Sequence, residues 1–232
     1  MTLFTIITLG VLTHTTFTSA RMIGSLYALA NGASTFTVGV LMALFALVPM
    51  LIAVRAGRWL DAVGPRKPLA LGAAMLGAGA LLPALFPYPV ADIAPLLVGA
   101  ALVGTGAMLV QQTTIHIVGE RADPAGRAAD FSWMAVGASV AGLVGPVTSG
   151  LLIDLAGHRA AFAALTVLTL ATGVLLYVHR AQLPSRSAPP EPTAPRPTFE
   201  LLALPDLRNV LIAVALISMS WDLQTFMMPV HG

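Results

Sequence analysis

The sequence predicts an all-α, multi-pass membrane protein, and three observations carry that prediction. Of its 232 residues, 57% are hydrophobic and only 9% are charged. A water-soluble domain carries about 25% charged residues, so this chain cannot clothe a water-facing surface. Seven apolar stretches, near 4–29, 36–55, 68–88, 93–118, 131–153, 160–179 and 208–229, are each long enough to cross about 30 Å of hydrocarbon at about 1.5 Å per residue. Between them, short neutral turns alternate with charged segments.

The first stretch has no basic residues ahead of it, and its apolar pattern runs on past residue 20 to Leu29. It therefore reads as a span and not as a cleaved leader. The neutral turn Ala-Asn-Gly-Ala-Ser-Thr at 30–35 leads into the second span, and a charged gap at 56–67 follows. The third and fourth spans flank Pro-Tyr-Pro-Val-Ala-Asp at 87–92, and residues 119–130 are charged again. The fifth and sixth are separated by 154–159. Residues 180–206 then hold Pro184, Pro189, Pro190, Pro192, Pro195, Pro197 and Pro205 among Ser, Arg and Glu, a composition that buries no core and reads as an extended linker. The expected organisation is a six-helix region at 1–179, a cytoplasmic linker at 180–206 and one further helix within 207–232.

Orientation follows from Lys and Arg, which cytoplasmic loops retain. Arg55, Arg58, Arg66, Lys67, Arg121, Arg127, Arg180, Arg186, Arg196 and Arg208 fall on one side, Arg159 alone on the other, and Arg21 inside a span. The N-terminus is thus expected in the cytoplasm and the chain in the inner (plasma) membrane. A seven-helix receptor, with its N-terminus outside, would export ten of these twelve charges. The net charge of +2 forms no basic patch for nucleic acid. With no cysteine, five scattered histidines and no glycine-rich phosphate cradle, the chain offers no metal site, cofactor site or nucleophile triad, and no enzyme activity is expected.

An internal repeat is visible. Gly57, Asp61, Gly64 and Arg66 recur as Gly150, Asp154, Gly157 and Arg159 at the same spacing, offset by 93 residues (150 − 57). On the topology above, one copy is cytoplasmic and the other external, so helices one to three and four to six form a 3+3 repeat inverted in the membrane.

With these residues, the chain resembles the major facilitator superfamily of secondary transporters. That family's loop motif, Gly-x-Leu-x-Asp-Arg-x-Gly-Arg-Lys/Arg, is matched by Gly57, Asp61, Gly64 and Arg66, with Lys67 beside it. Trp59, Ala62 and Pro65 depart from it. A helix-five pattern common in drug and small-molecule exporters of the antiporter type is matched by Gly145, Pro146, Ser149 and Gly150, and a helix-four pattern survives only as Gly104 and Gly106. The resemblance implies that the loop motif latches one conformation. It also implies twelve helices in two halves, so the chain is expected to be a truncated transporter lacking most of its C-terminal half.

Candidate cavity residues lie on three spans. In the first, His14, Thr18, Arg21 and Ser25 form one stripe at i, i+4, i+7 and i+11. A membrane-embedded arginine is costly unless it faces protein or water. In the fourth, Met108 and Gln111 share a face with Ala100 and Gly104, while Gln112 points about 100° away beside Thr105 and His116. In the last, Ser218, Trp221, Asp222 and Thr225 share a face, and Asp222 is the only carboxylate well inside any span, hence the candidate proton carrier and a depth-matched partner for Arg21. The expected function is alternating-access transport of a small organic molecule, as a proton-coupled exporter. The alternative is a non-transporting membrane scaffold or an inert truncated product.

Overall fold

The computed structural model describes residues 2–86, 92–121, 126–183 and 204–231. They fall into two compact units, Met1–Ser187 and Ala188–Gly232. The first holds α1 (Leu3–Ala30), α2 (Thr35–Val63), α3 (Arg66–Leu85), α4 (Ala94–Arg121) and α5 (Arg127–His179), followed by a 3-10 turn at Arg180–Gln182. The second holds α6 (Pro205–His231). Among the described residues, α1 to α5 are long and apolar enough to cross a membrane.

Helix ends are set by local chemistry. Thr2 caps α1 by accepting the Thr5 N–H at 3.3 Å, and Ser34 caps α2 by accepting that of Thr37 at 3.1 Å. Each satisfies one of the N–H groups that the first turn of a helix leaves without an intrahelical partner. Gly157 breaks α5 into two arms, because its φ of 80° and ψ of 171° lie outside the helical region. The arms supply the expected fifth and sixth spans, so the first unit is a six-helix half.

Several boundaries differ from the sequence reading, the following among them. The segment 56–67, read as a loop, is helical as far as Val63, because Ala56 and Leu60 stay buried four residues apart and prolong the apolar stripe beyond the hydrophobic run. Only Gly64 and Pro65 separate α2 from α3, which begins at Arg66 and ends at Leu85 instead of 88. At the expected linker, Arg180–Gln182 are 3-10 helix and Pro205 already belongs to α6, whereas residues 184–203 lie outside the described residues.

Packing in the first unit relies on small residues, as expected where lipid supplies no hydrophobic drive between helices. Antiparallel α3 and α4 meet through Gly72 against Gly106 and Gly79 against Gly99, where an added Cβ would stand 2.6–2.9 Å from the facing carbonyl oxygens. On its other side, α4 presses Gly104 onto the Phe45 backbone of α2. The first arm of α5 lies along α1, with Gly137 against Val11 and Ile7 and Gly145 against Thr15, Thr18 and Ser19. Shifting by the repeat offset takes Gly104 to Val11 and Gly137 to Leu44, the neighbour of Phe45. The α2–α4 and α1–α5 contacts are thus counterparts to within one residue, as the inverted repeat requires.

Candidate functional site

The predicted α1 stripe divides between two neighbours. His14 and Arg21 both neighbour Phe17, with the His14 ring 6.2 Å from the Phe17 ring and the Arg21 guanidinium carbon 5.6 Å from its centroid. Phe17 in turn meets Phe45 of α2 edge-on at 5.8 Å. The quadrupole of Phe17 offers its negative face to the guanidinium, which lowers the cost of a charge held at this depth. His14 and Arg21 are both half-buried. Phe17 was not singled out in the sequence, although it stands at i+3 from His14 and i−4 from Arg21, the spacing that makes helix neighbours.

Thr18 and Ser25 do different work. Thr18 Oγ1 donates to its own helix at the His14 carbonyl (3.0 Å) and reaches the Ala141 carbonyl of α5 at 3.4 Å. Ser25 is buried and donates to the Met22 carbonyl at 3.0 Å. Ser19, which the stripe omitted, donates to the Gly145 carbonyl at 3.1 Å.

That carbonyl is the centre of the helix-five motif. It also accepts from Thr148 at 3.1 Å and Ser149 at 2.7 Å, so hydroxyls from both helices converge on one oxygen. Pro146 lacks an N–H and frees the carbonyl four residues earlier in the same segment. Gly145 lies tight against α1, Gly150 makes only ordinary contact with Met22, and an added Cβ at Gly142 meets nothing within 4 Å.

On α4, Gln111 is exposed beside Ile115, while Met108 and Gln112 are half-buried and Thr113 and Thr114 are buried. His116 Nε2 lies 3.1 Å from Glu120 Oε1 one turn on. Ser218 on α6 is exposed, and the side chains of Trp221, Asp222 and Thr225 lie outside the described residues.

In the loop motif, Gly64 ends α2 with φ 76° and donates its N–H to the Leu60 carbonyl at 2.8 Å. Asp61, Arg66 and Lys67 are exposed, and an added Cβ at Gly57 meets nothing within 4 Å. Arg66 reaches across the unit: its Nε donates to the Leu183 carbonyl at 2.8 Å and its Nη2 to that of Ala181 at 3.5 Å. No spacing rule connects residues so far apart in sequence, and this contact was invisible before the fold. Within the bundle, an apolar cavity of about 10 Å³ among Ala20, Phe45, Ala100, Phe162 and Leu165 is at the lower limit for one water.

The family model described as Major Facilitator Superfamily matches residues 6–232. The chain belongs to that superfamily. Solved transporters share its fold. A POT family transporter in complex with 5-aminolevulinic acid gives a TM-score of 0.70 at 14% identity, over 96% of this chain and 47% of that one. A POT peptide transporter in complex with alafosfalin gives 0.67 at 22% identity, over 92% and 46%. A POT family transporter solved in meso gives 0.70 at 16%, over 87% and 41%. The chain therefore spans about half the length of these structures. A search of the curated proteins finds no match. The first unit has the fold of a six-helix half-transporter of that superfamily.

Proposed function

We propose that this chain forms part of a secondary active transporter that moves a small organic molecule across the inner membrane by alternating access, outward and in exchange for protons. The observation that carries this reading is the inverted repeat of the first unit, whose two halves turn at Gly64 and Gly157 with one backbone conformation. Paired, inverted three-helix elements are the parts that rocking-bundle transport requires. The arrangement of Gly145, Pro146, Ser149 and Gly150 supports the antiport direction through its resemblance to exporters.

In this reading, His14, Thr18, Arg21, Ser25, Met108, Gln111 and Gln112 contribute to the substrate and coupling surface, with Ser218, Trp221, Asp222 and Thr225 from α6. Arg21 supplies fixed positive charge, and Asp222 carries the coupled proton. Gly57, Asp61, Gly64, Arg66 and Lys67 act as the latch on the cytoplasmic side, where the N-terminus also lies. The partner is a C-terminal transporter half, and the lipid bilayer is the solvent.

The test is flux in proteoliposomes, with the chain alone and with a co-expressed superfamily C-terminal half, using ethidium and alafosfalin as probes. Expected is ethidium efflux that needs both halves and an inwardly directed proton gradient. Flux of alafosfalin alone would replace the exporter reading with uptake of peptide-like molecules. Absence of flux for either probe, with both halves inserted, would favour a scaffold.

A further inference from the structure

We infer that Arg66 and Leu183 form a clasp that ties the α2–α3 turn to the point where the linker leaves the six-helix unit, making Arg66 a positioning residue for that exit. The last carbonyls of a helix lack partners within it, and in an apolar setting each needs a donor from elsewhere. At the end of the second arm of α5, the 3-10 turn Arg180–Gln182 passes into Leu183, and Arg66 supplies donors to two of the carbonyls there, those of Ala181 and Leu183. A guanidinium fork is suited to bridging two acceptors, and its charge complements the negative end of the helix.

Leu183 is held from both ends. Its side chain is 3% exposed, although Arg180, Ala181 and Gln182 just before it are all exposed. Its backbone is extended, with φ −79° and ψ 136°, the conformation imposed on a residue that precedes proline, and Pro184 follows. A buried apolar plug, a proline-set direction and a two-carbonyl clamp thus coincide at one residue.

The other side of the clasp has no slack. Only Gly64 and Pro65 separate α2 from α3, and the positive φ of Gly64 sets the direction in which Arg66 leaves the turn. A movement of the loop motif relative to the end of α5 must therefore either carry the linker exit with it or break the clasp. The loop motif thereby reports to the linker directly, whatever molecule is transported.

The chain has no cysteine, so single reporters are clean. In the full chain in detergent, maleimide should label Leu183→Cys slowly. Adding Arg66→Ala should raise that rate about tenfold or more, Arg66→Lys should fall between because one ammonium cannot reproduce the fork, and Lys67→Ala should leave it unchanged. Gly64→Val should raise the rate as much as Arg66→Ala, since valine cannot hold the turn. A separate reporter, Ser149→Cys at the buried α1–α5 junction, should stay protected throughout. Labelling of Leu183→Cys that ignores Arg66→Ala or Gly64→Val overturns the clasp. So does equal loss of protection at Ser149→Cys, which would assign Arg66 to general packing.

Discussion

Gly64 and Gly157 hold one backbone conformation, φ 76° and ψ 175° in the first, φ 80° and ψ 171° in the second. Each follows an exposed aspartate by three residues, Asp61 or Asp154, and precedes an arginine by two, Arg66 or Arg159. The two turns lie at opposite ends of the unit. The Gly64 turn is joined through Arg66 to the end of the second α5 arm, whereas the Gly157 turn sits at that arm's start, with His158 5.3 Å from Tyr27 near the end of α1. The repeat seen in four letters is thus a repeated turn.

That conformation is open almost only to glycine and costs another residue about 1–3 kcal/mol. Gly64→Ala and Gly157→Ala should each lower unfolding stability by about that amount, and by similar amounts. The other repeated glycines should behave differently. An added Cβ at Gly57 meets nothing within 4 Å and at Gly150 only Met22 at 3.6 Å, so Gly57→Ala and Gly150→Ala should be neutral or slightly stabilising. Thermal unfolding in detergent measures all four, and equal penalties across the set would refute the shared turn.

Much of this architecture was legible because membrane helices declare themselves by length and apolarity, as α1 and α4 do to within a few residues. The break at Gly157 was legible as the gap between two apolar runs. The end of α2 was not: Arg55, Arg58 and Asp61 suggested a loop, yet Leu60 remained buried and the helix continued. For the candidate site, helical spacing grouped His14 with Arg21 and Thr18, but a periodicity cannot say which neighbour each side chain meets. Phe45 gathers the first two by way of Phe17, and Gly145 claims the region of the third. Arg66 with Leu183 depends on tertiary closure alone.

The same repeat supplies a test of sidedness. Asp61 and Asp154 are equivalent in it and both exposed, so single cysteines at the two sites compare like with like. In intact cells an impermeant maleimide should label Asp154→Cys and spare Asp61→Cys, and permeabilisation should expose the second. The reverse pattern would invert the topology drawn from the basic residues. Labelling of both from outside would remove the inverted repeat.

Coupling is tested at Asp222, the carboxylate proposed above to carry the proton. In the complete transporter, Asp222→Asn should leave probe exchange in place but abolish its dependence on the proton gradient. A gradient response equal to the parent's would move the proton to another group, with His14 the next candidate.

The last prediction separates two glycines that both admit a close neighbour. At Gly145 an added Cβ collides with the Thr18 hydroxyl, the end of a side chain, and stands 3.1 Å from the Thr15 carbonyl and 3.2 Å from Ser19 Oγ. At Gly104 it collides with the Phe45 carbonyl oxygen and also lies 2.9 Å from Phe45 Cα, all of it helix backbone. A side chain can be cut back, whereas backbone yields only if α2 and α4 move apart. Overpacking of this kind costs about 1–3 kcal/mol and more when nothing can relax. Gly145→Ala should therefore be destabilising but largely rescued by Thr18→Ala, which removes the obstructing hydroxyl at the expense of its 3.4 Å contact with Ala141. Gly104→Ala should be the more damaging change, and Phe45→Ala should not rescue it, because the obstruction survives truncation and the Phe17 contact is lost as well. Unfolding midpoints of the two double-mutant cycles decide the matter: strong coupling is expected in the first and none that restores stability in the second. Rescue of Gly104→Ala by Phe45→Ala would show that side-chain bulk, and not backbone contact, sets the α2–α4 distance.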